Sequence, residues 1–323
     1  MGNQMNDAGK MPMVSVVCPT YNHEPYIRQA LDSILVQKTT YTYEILVGED
    51  CSPDNSREIL KEYEERYPNI FRMFYRNENL GATKNGYDLY INARGKYITV
   101  LELDDYWSDP EKLQKQVDFL ENNATIIGCA HDSIIINEAG EIIQETVSDY
   151  KKPEITLKDF LEKGFIFQSA SLVYRNIYKD GGDYTILYNA HNIVGDLTIN
   201  SILLKRGNIY LMPDKMSAYR RVLKSGGTNA ASLAMDSQAQ SLLDTMILLD
   251  RLRTYFNGGI DYSPRMKYPM ERYITGLLRR ESGFNIKDYR YMWEMSSRSI
   301  HRDVIGYVFT YPFRKIRNII RRN

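Results

Sequence analysis

Only three cysteines, Cys18, Cys51 and Cys129, occur in the 323 residues, far apart and in no CxxC spacing. That count excludes a disulfide framework and suits small buried residues in a reducing compartment. Four scattered histidines argue against a zinc site. Net charge is absent as well: 41 acidic and 41 basic residues balance, so nothing global points to nucleic acid. No positively charged segment followed by an apolar one opens the chain, and no run approaches the roughly 18 apolar residues of a membrane span. The reading is a cytoplasmic protein, with any membrane contact confined to the inner surface of the cytoplasmic membrane.

What the sequence does have is alternation. Residues 13–18, MVSVVC, form a continuous apolar run of strand length, as in a strand buried on both faces. Ile27, Ala30, Leu31, Ile34 and Leu35 then recur at helical spacing. A second strand is expected over 43–48, a helix from about Asn55, a third strand over 70–75 and a fourth over 97–101. Asp109 and Pro110 announce a further helix, 126–145 reads as a hairpin around NEAGE, and a helix is expected from Asp196 to Gly207. Strands alternating with amphipathic helices predict a doubly wound, mostly parallel α/β sheet, whose ligands bind beyond the carboxyl ends of the strands.

The domains expected are a polar, disordered stretch over 1–12, an α/β domain over 13–227 and a helical region over 228–323. The last of these ends in VIGYVFTYPFRKIRNIIRR, where aromatics interleave with Arg314, Lys315, Arg317, Arg321 and Arg322. Such a segment suits the headgroup layer of an anionic membrane, and equally a last helix with a solvated basic face.

Polar clusters fall at the expected strand ends: PTYN after the first, EDCSPDNS after the second, ELDD after the fourth. Glu102, Asp104 and Asp105 repel one another, and an isolated acidic pair is more often a turn cap. Here an apolar strand feeds the cluster, and hard oxygen ligands on alternate residues suit Mg²⁺ or Mn²⁺ carrying a diphosphate.

The series VSVVCPTYNHEPYIRQALDSILVQ, YEILVGEDCSPDNSREIL, NENLGATKNG and GKYITVLELDDYWSDPEKLQKQ is similar to bacterial family 2 glycosyltransferases of GT-A fold, over roughly the first 225 residues. The resemblance implies a GT-A sheet, to which the helical region would be a C-terminal extension, and inverting transfer from a nucleoside-diphosphate sugar to a surface glycan; the basic aromatic tail suggests a lipid-linked oligosaccharide as acceptor. It places Pro19, Tyr21 and Asn22 on the nucleotide, Tyr21 against the base, Glu24 near the ribose and Asp50 on the imide nitrogen of uracil or thymine. An Asx cap is the alternative for Asp50. Lys84 falls near the diphosphate. Asp104 and Glu102 match the metal-binding DxD, with Glu102 where the family usually has Asp, and Asp105 becomes a donor-sugar contact. Trp107 either lines the sugar pocket or is core.

NIVGDLTINSILLKRG carries Asp196 over as general base, with Gly195 in place of the common Glu. An Asp opening a helix is otherwise an N-cap, and the helix terminus would keep it ionised. In AYRRVLKSGGTN, Val222 stands where many members have His, leaving Arg220, Arg221 or Lys224 to neutralise phosphate in a loop that closes over the donor. His131, Gln168 in FQSAS and His191 are acceptor candidates by position. A sugar-nucleotide pyrophosphorylase would carry a Gly-rich, Arg-containing loop after the first strand, and a dehydrogenase GxGxxG; PTYNHEPY offers neither. A non-catalytic scaffold of the same fold stays open because of Glu102, Gly195 and Val222.

Overall fold

The seven residues Val14–Thr20 (β1) are buried almost throughout, as an apolar run between two covered faces requires. The computed structural model describes residues 11–147, 149–192, 194–222 and 235–320, the last ten of these as helical backbone only. The stretch expected to be disordered lies mostly outside the described residues, as does Lys224 with its loop. The same holds for Arg321 and Arg322 and for the side chains of Arg314, Lys315 and Arg317. The chain divides into two compact units, Met1–Val222 and Leu223–Asn323.

In the first unit β1 is followed by α1 (Ile27–Leu35), β2 (Tyr43–Glu49), α2 (Ser56–Arg66), β3 (Phe71–Tyr75), α3 (Ala82–Asn92) and β4 (Tyr97–Val100). β5 (Tyr106–Trp107), α4 (Lys112–Asn122), β6 (Gly128–Ile136), β7 (Ile142–Gln144), β8 (Glu154–Ile155) and α5 (Leu157–Lys163) come next. The unit ends with β9 (Val173–Arg175), α6 (Ile186–Asn189), α7 (Asp196–Leu204) and β10 (Ile209–Arg220). The strands lie in the order β3-β2-β1-β4-β9-β6-β10-β5. Pairing is parallel from β3 to β4 and between β6 and β10, while β9 runs antiparallel between β4 and β6. The expected doubly wound sheet is therefore present, with its second half mixed. The hairpin around NEAGE joins β6 to β7.

Alternation along the strands divides the core. Val14, Val16, Cys18, Ile45 and Val47 share one apolar cluster with Ile27, Leu31 and Ile34 of α1, Ile59 and Leu60 of α2, and Leu113, Val117 and Leu120 of α4. α3 packs against β1 and β2. Gly48 lets it approach: a methyl there would collide with the carboxamide of Asn85, which donates to the Gly48 carbonyl at 2.8 Å. Asp109 does not cap α4; its carboxylate accepts from the Glu111 amide at 2.8 Å and turns the chain one residue earlier.

After β3 the chain returns across β1 to lay down β4 on the other side. The order therefore reverses between β1 and β4, and the crevice outside a sheet opens at such a reversal. The second unit consists of α8 (Gln238–Tyr255), α9 (Ser263–Arg279), α10 (Ile286–Met295) and α11 (Arg298–Ile320), around buried Met246, Leu249, Met270, Tyr273 and Met292. Its described residues contain no strand, as the helical patterning predicts. No described helix is long and apolar enough to cross a membrane.

Candidate active site

The carboxyl ends of β1 and β4 carry the two clusters that the sequence sets apart. Beyond β1 the chain turns through Asn22, which adopts a left-handed φ of 60°. Three successive amides are then held by the loop after β2: Asn22 donates to Ser52 Oγ at 3.0 Å, His23 to Ser56 Oγ at 3.2 Å and Glu24 to Asp54 Oδ2 at 3.0 Å. The Glu24 carboxylate is itself occupied by the backbone and side chain of Asn55, at 3.1 and 2.9 Å. Tyr21 stays half exposed at the head of this turn.

Asp50 is buried, and its two oxygens accept from the amides of Leu80 and Gly81 at 2.8 and 3.0 Å. It is no helix cap: Asn55 is the N-cap of α2, and Asp54 before it accepts from the Ser56 amide at 3.0 Å. Burial raises the Asp50 carboxyl above its ordinary range despite the two amides. Lys84 is exposed in the first turn of α3 and does not line the cleft described below.

Past β4 a tight turn, closed by the Asp105 amide on the Glu102 carbonyl at 3.0 Å, brings Glu102, Asp104 and Asp105 together. One oxygen from each lies within 4.8 Å of the others. Solvent reaches one side of Glu102, yet protein surrounds the rest of it, and that burial together with Asp104 and Asp196 pushes its carboxyl up to about 8. Asp105 points inward, accepts from the Arg220 amide at 2.7 Å, and is raised well above the carboxylate range, chiefly by burial. Asp104 Oδ1 is buried with no partner among the described residues. Three crowded carboxyl groups, two of them held above the ordinary range, and one unpartnered oxygen fit a hard divalent cation, which reverses that repulsion by its own charge.

The far wall of the cleft is α7. Gly195 is its N-cap and makes no side-chain cap, so Asp196 is the first helical residue and not the cap. Its Oδ1 accepts from Ser169 Oγ at 2.9 Å. Burial holds the Asp196 carboxyl above its ordinary range, whereas the helix terminus alone would favour ionisation; desolvation outweighs the dipole here. Asp196, Glu102 and Pro19 line one cavity with Thr83, Tyr90, Ser169, Leu172 and Asn200. The acid of α7 thus faces the acid of the DxD turn across the crevice.

Several expected residues are placed elsewhere. Arg220 is no free phosphate ligand: Nε donates to the Asp104 carbonyl at 2.9 Å, and the terminal nitrogens donate to the Asn137 and Glu138 carbonyls and to Gln29. Its guanidinium lies 4.4 Å over the ring of Tyr26. Tyr219 and Arg220 end β10 instead of following it, and the half-buried Arg221 comes next, its amide on the Ile136 carbonyl. Trp107 belongs to the core, its indole N–H on the Ala170 carbonyl at 3.1 Å.

His131 cannot meet an acceptor, because it is fully buried and its Nδ1 donates to the Asp132 carbonyl at 2.6 Å. His191 braces the loop before α7, with Nδ1 accepting from Val194 at 3.0 Å and its carbonyl from Thr83 at 2.7 Å. Within FQSAS it is Ser169, not Gln168, that faces the cleft.

One site residue carries a signal that motif reading passes over. His23, directly after PTYN, has Nε2 3.8 Å from Asp104 Oδ2. Proximity of a loop histidine to a strand-end acid 81 positions away exists only in the fold.

Comparison with known proteins now identifies the architecture. The model of glycosyl transferase family 2 matches residues 15–182. An uncharacterized protein of Mycobacterium tuberculosis is 35% identical over 210 residues, which cover 64% of this chain and 58% of that relative. The chain therefore spans less than two thirds of that relative's length. A putative teichuronic acid biosynthesis glycosyltransferase of Bacillus subtilis is 37% identical over 109 residues, 34% of this chain and 42% of the relative. Among solved structures, S. aureus TarS 1-349 in complex with UDP-GlcNAc superposes with a TM-score of 0.54 at 18% identity, over 91% of this chain and 79% of that one. At that identity the likeness establishes the GT-A fold alone.

Proposed function

The chain belongs to glycosyl transferase family 2, and from that premise we propose that it transfers a hexose, with inversion and metal dependence, from a UDP-sugar to a hydroxyl of a growing bacterial surface polysaccharide. The observation that carries this reading is the cleft itself: Asp196 and Glu102, the first acid of the turn after β4, line one cavity at the reversal between β1 and β4.

Asp196 accepts the proton of the acceptor hydroxyl while that oxygen attacks the anomeric carbon. The bond to the nucleoside diphosphate breaks on the opposite face, so the anomeric configuration inverts. A raised Asp196 pKa suits this work, since a base is most effective with its pKa near the working pH. Asp104 and Glu102 would hold Mn²⁺ or Mg²⁺, which when bound supplies positive charge to the departing diphosphate. Asp50 and Tyr21 stand where the pyrimidine and its imide N–H would be read. One relative named as a putative teichuronic acid biosynthesis glycosyltransferase, and a UDP-GlcNAc complex among the structural neighbours, support a UDP-sugar and a cell-envelope glycan. A lipid-linked acceptor and contact with an anionic membrane belong to the same reading, motivated by the basic aromatic sequence of the tail.

Replacing Asp196 by Asn tests the assignment. Transfer should fall by roughly 10²- to 10⁴-fold, while UDP binding by calorimetry stays within about twofold of the parent. Retained turnover would remove Asp196 from the chemistry.

A further inference from the structure

We propose that His23 supplies a nitrogen ligand to the divalent cation at the DxD turn. The inference rests on the metal-dependent reading above.

His23 is held as a ligand must be. Its amide is fixed on Ser56 Oγ, and its carbonyl accepts from the amides of Tyr26 and Ile27 at 2.9 and 3.2 Å, so backbone freedom is removed on both sides. The ring is oriented from behind. Nδ1 lies 3.2 Å from Thr20 Oγ1 at the end of β1, and a proton on Nδ1 donated to that hydroxyl leaves the Nε2 lone pair facing Asp104. Metal-bound histidines are commonly fixed through their other ring nitrogen in this way.

The separation decides between a hydrogen bond and a shared ion. At 3.8 Å, Nε2 and Asp104 Oδ2 are too far apart for a hydrogen bond. Two metal–ligand bonds of about 2.1 Å each span up to about 4.2 Å, so one ion can touch both atoms. The other oxygen of Asp104 is buried and unpartnered among the described residues. Arg220 is engaged by carbonyls and Gln29, and His131 is sealed in the core.

A nitrogen donor also has a consequence for selectivity. Mg²⁺ prefers an all-oxygen set, whereas imidazole is accepted more readily by transition cations. The cation selected should therefore be Mn²⁺ over Mg²⁺, with His23 as the cause.

Pulsed electron paramagnetic resonance of Mn²⁺ on the full chain with UDP reads the ligand directly. Wild type should show ¹⁴N coupling that changes to the ¹⁵N pattern on ¹⁵N-histidine labelling, which needs no substitution. His23→Gln and His23→Ala should abolish it, weaken Mn²⁺ binding roughly 10- to 100-fold, and narrow the Mn²⁺/Mg²⁺ preference. Their melting curves confirm that the fold is kept. Bound Mn²⁺ without histidine coupling in wild type, or coupling that survives in both variants, overturns the role of His23 and leaves the metal-dependent reading standing. No Mn²⁺ binding at all overturns both.

Discussion

Asp104 and Asp105 are chain neighbours with opposite surroundings. The first keeps a buried oxygen with no partner among the described residues, and the second turns inward onto a backbone amide. Asp105, Glu102 and Asp196 hold their protons more tightly than free acids do. The sign of the pH effect follows. Where folded carboxyls keep protons that the unfolded chain has lost, folding takes up protons, so stability falls as pH rises. For Glu102 the window runs from the ordinary carboxylate range up through about 8. Melting temperature in chelator should therefore decline from pH 5 to pH 8, and Glu102→Gln should flatten part of that decline. Mn²⁺ should raise the curve most at the alkaline end, since the ionised carboxylates are the ligands. A curve that rises with pH in chelator would contradict the crowding of these acids.

At the scale of elements, what positions the site is a set of ties between loops that are distant in sequence. Arg220, the last residue of β10, joins the Asp104 carbonyl, the turn after β6 and Gln29 of α1. Truncation to Ala leaves several part-buried acceptors without donors, and stability should drop on the order of 2 kcal/mol by urea denaturation. Lys would restore little, because an ammonium cannot reproduce the planar fork. Unchanged stability with weakened UDP binding would instead return Arg220 to the phosphate role that the motif suggests. Some elements announce themselves locally, such as α5, opened by a reciprocal Thr156–Asp159 capping box. β10 does not: Pro213 interrupts its pattern, and the register against β6 shifts twice between Met212 and Ser217.

For the whole molecule, the sheet reversal between β1 and β4 predicts a nucleotide seat beside Asp50 and Tyr21. With Mn²⁺, UDP and dTDP should stabilise the full chain by about 2.7 kcal/mol at 100 times the dissociation constant. GDP should give no shift at equal concentration, and equal stabilisation by GDP would remove Asp50 from base recognition. Among UDP-sugars, the donor that adds most to the melting temperature identifies the hexose. The alternating α/β order, the parallel core and the acids at strand ends are legible in the chain alone. Apolar periodicity is local, and strand-end polarity survives in one dimension. The tertiary structure decided which polar residues are available for chemistry. It brought His23 to Asp104 and Ser169 to Asp196, and it consumed Arg220, Trp107 and His131 in structural bonds. Whether a side chain is free to meet a ligand depends on partners that lie far away along the chain, and only folding brings them into contact.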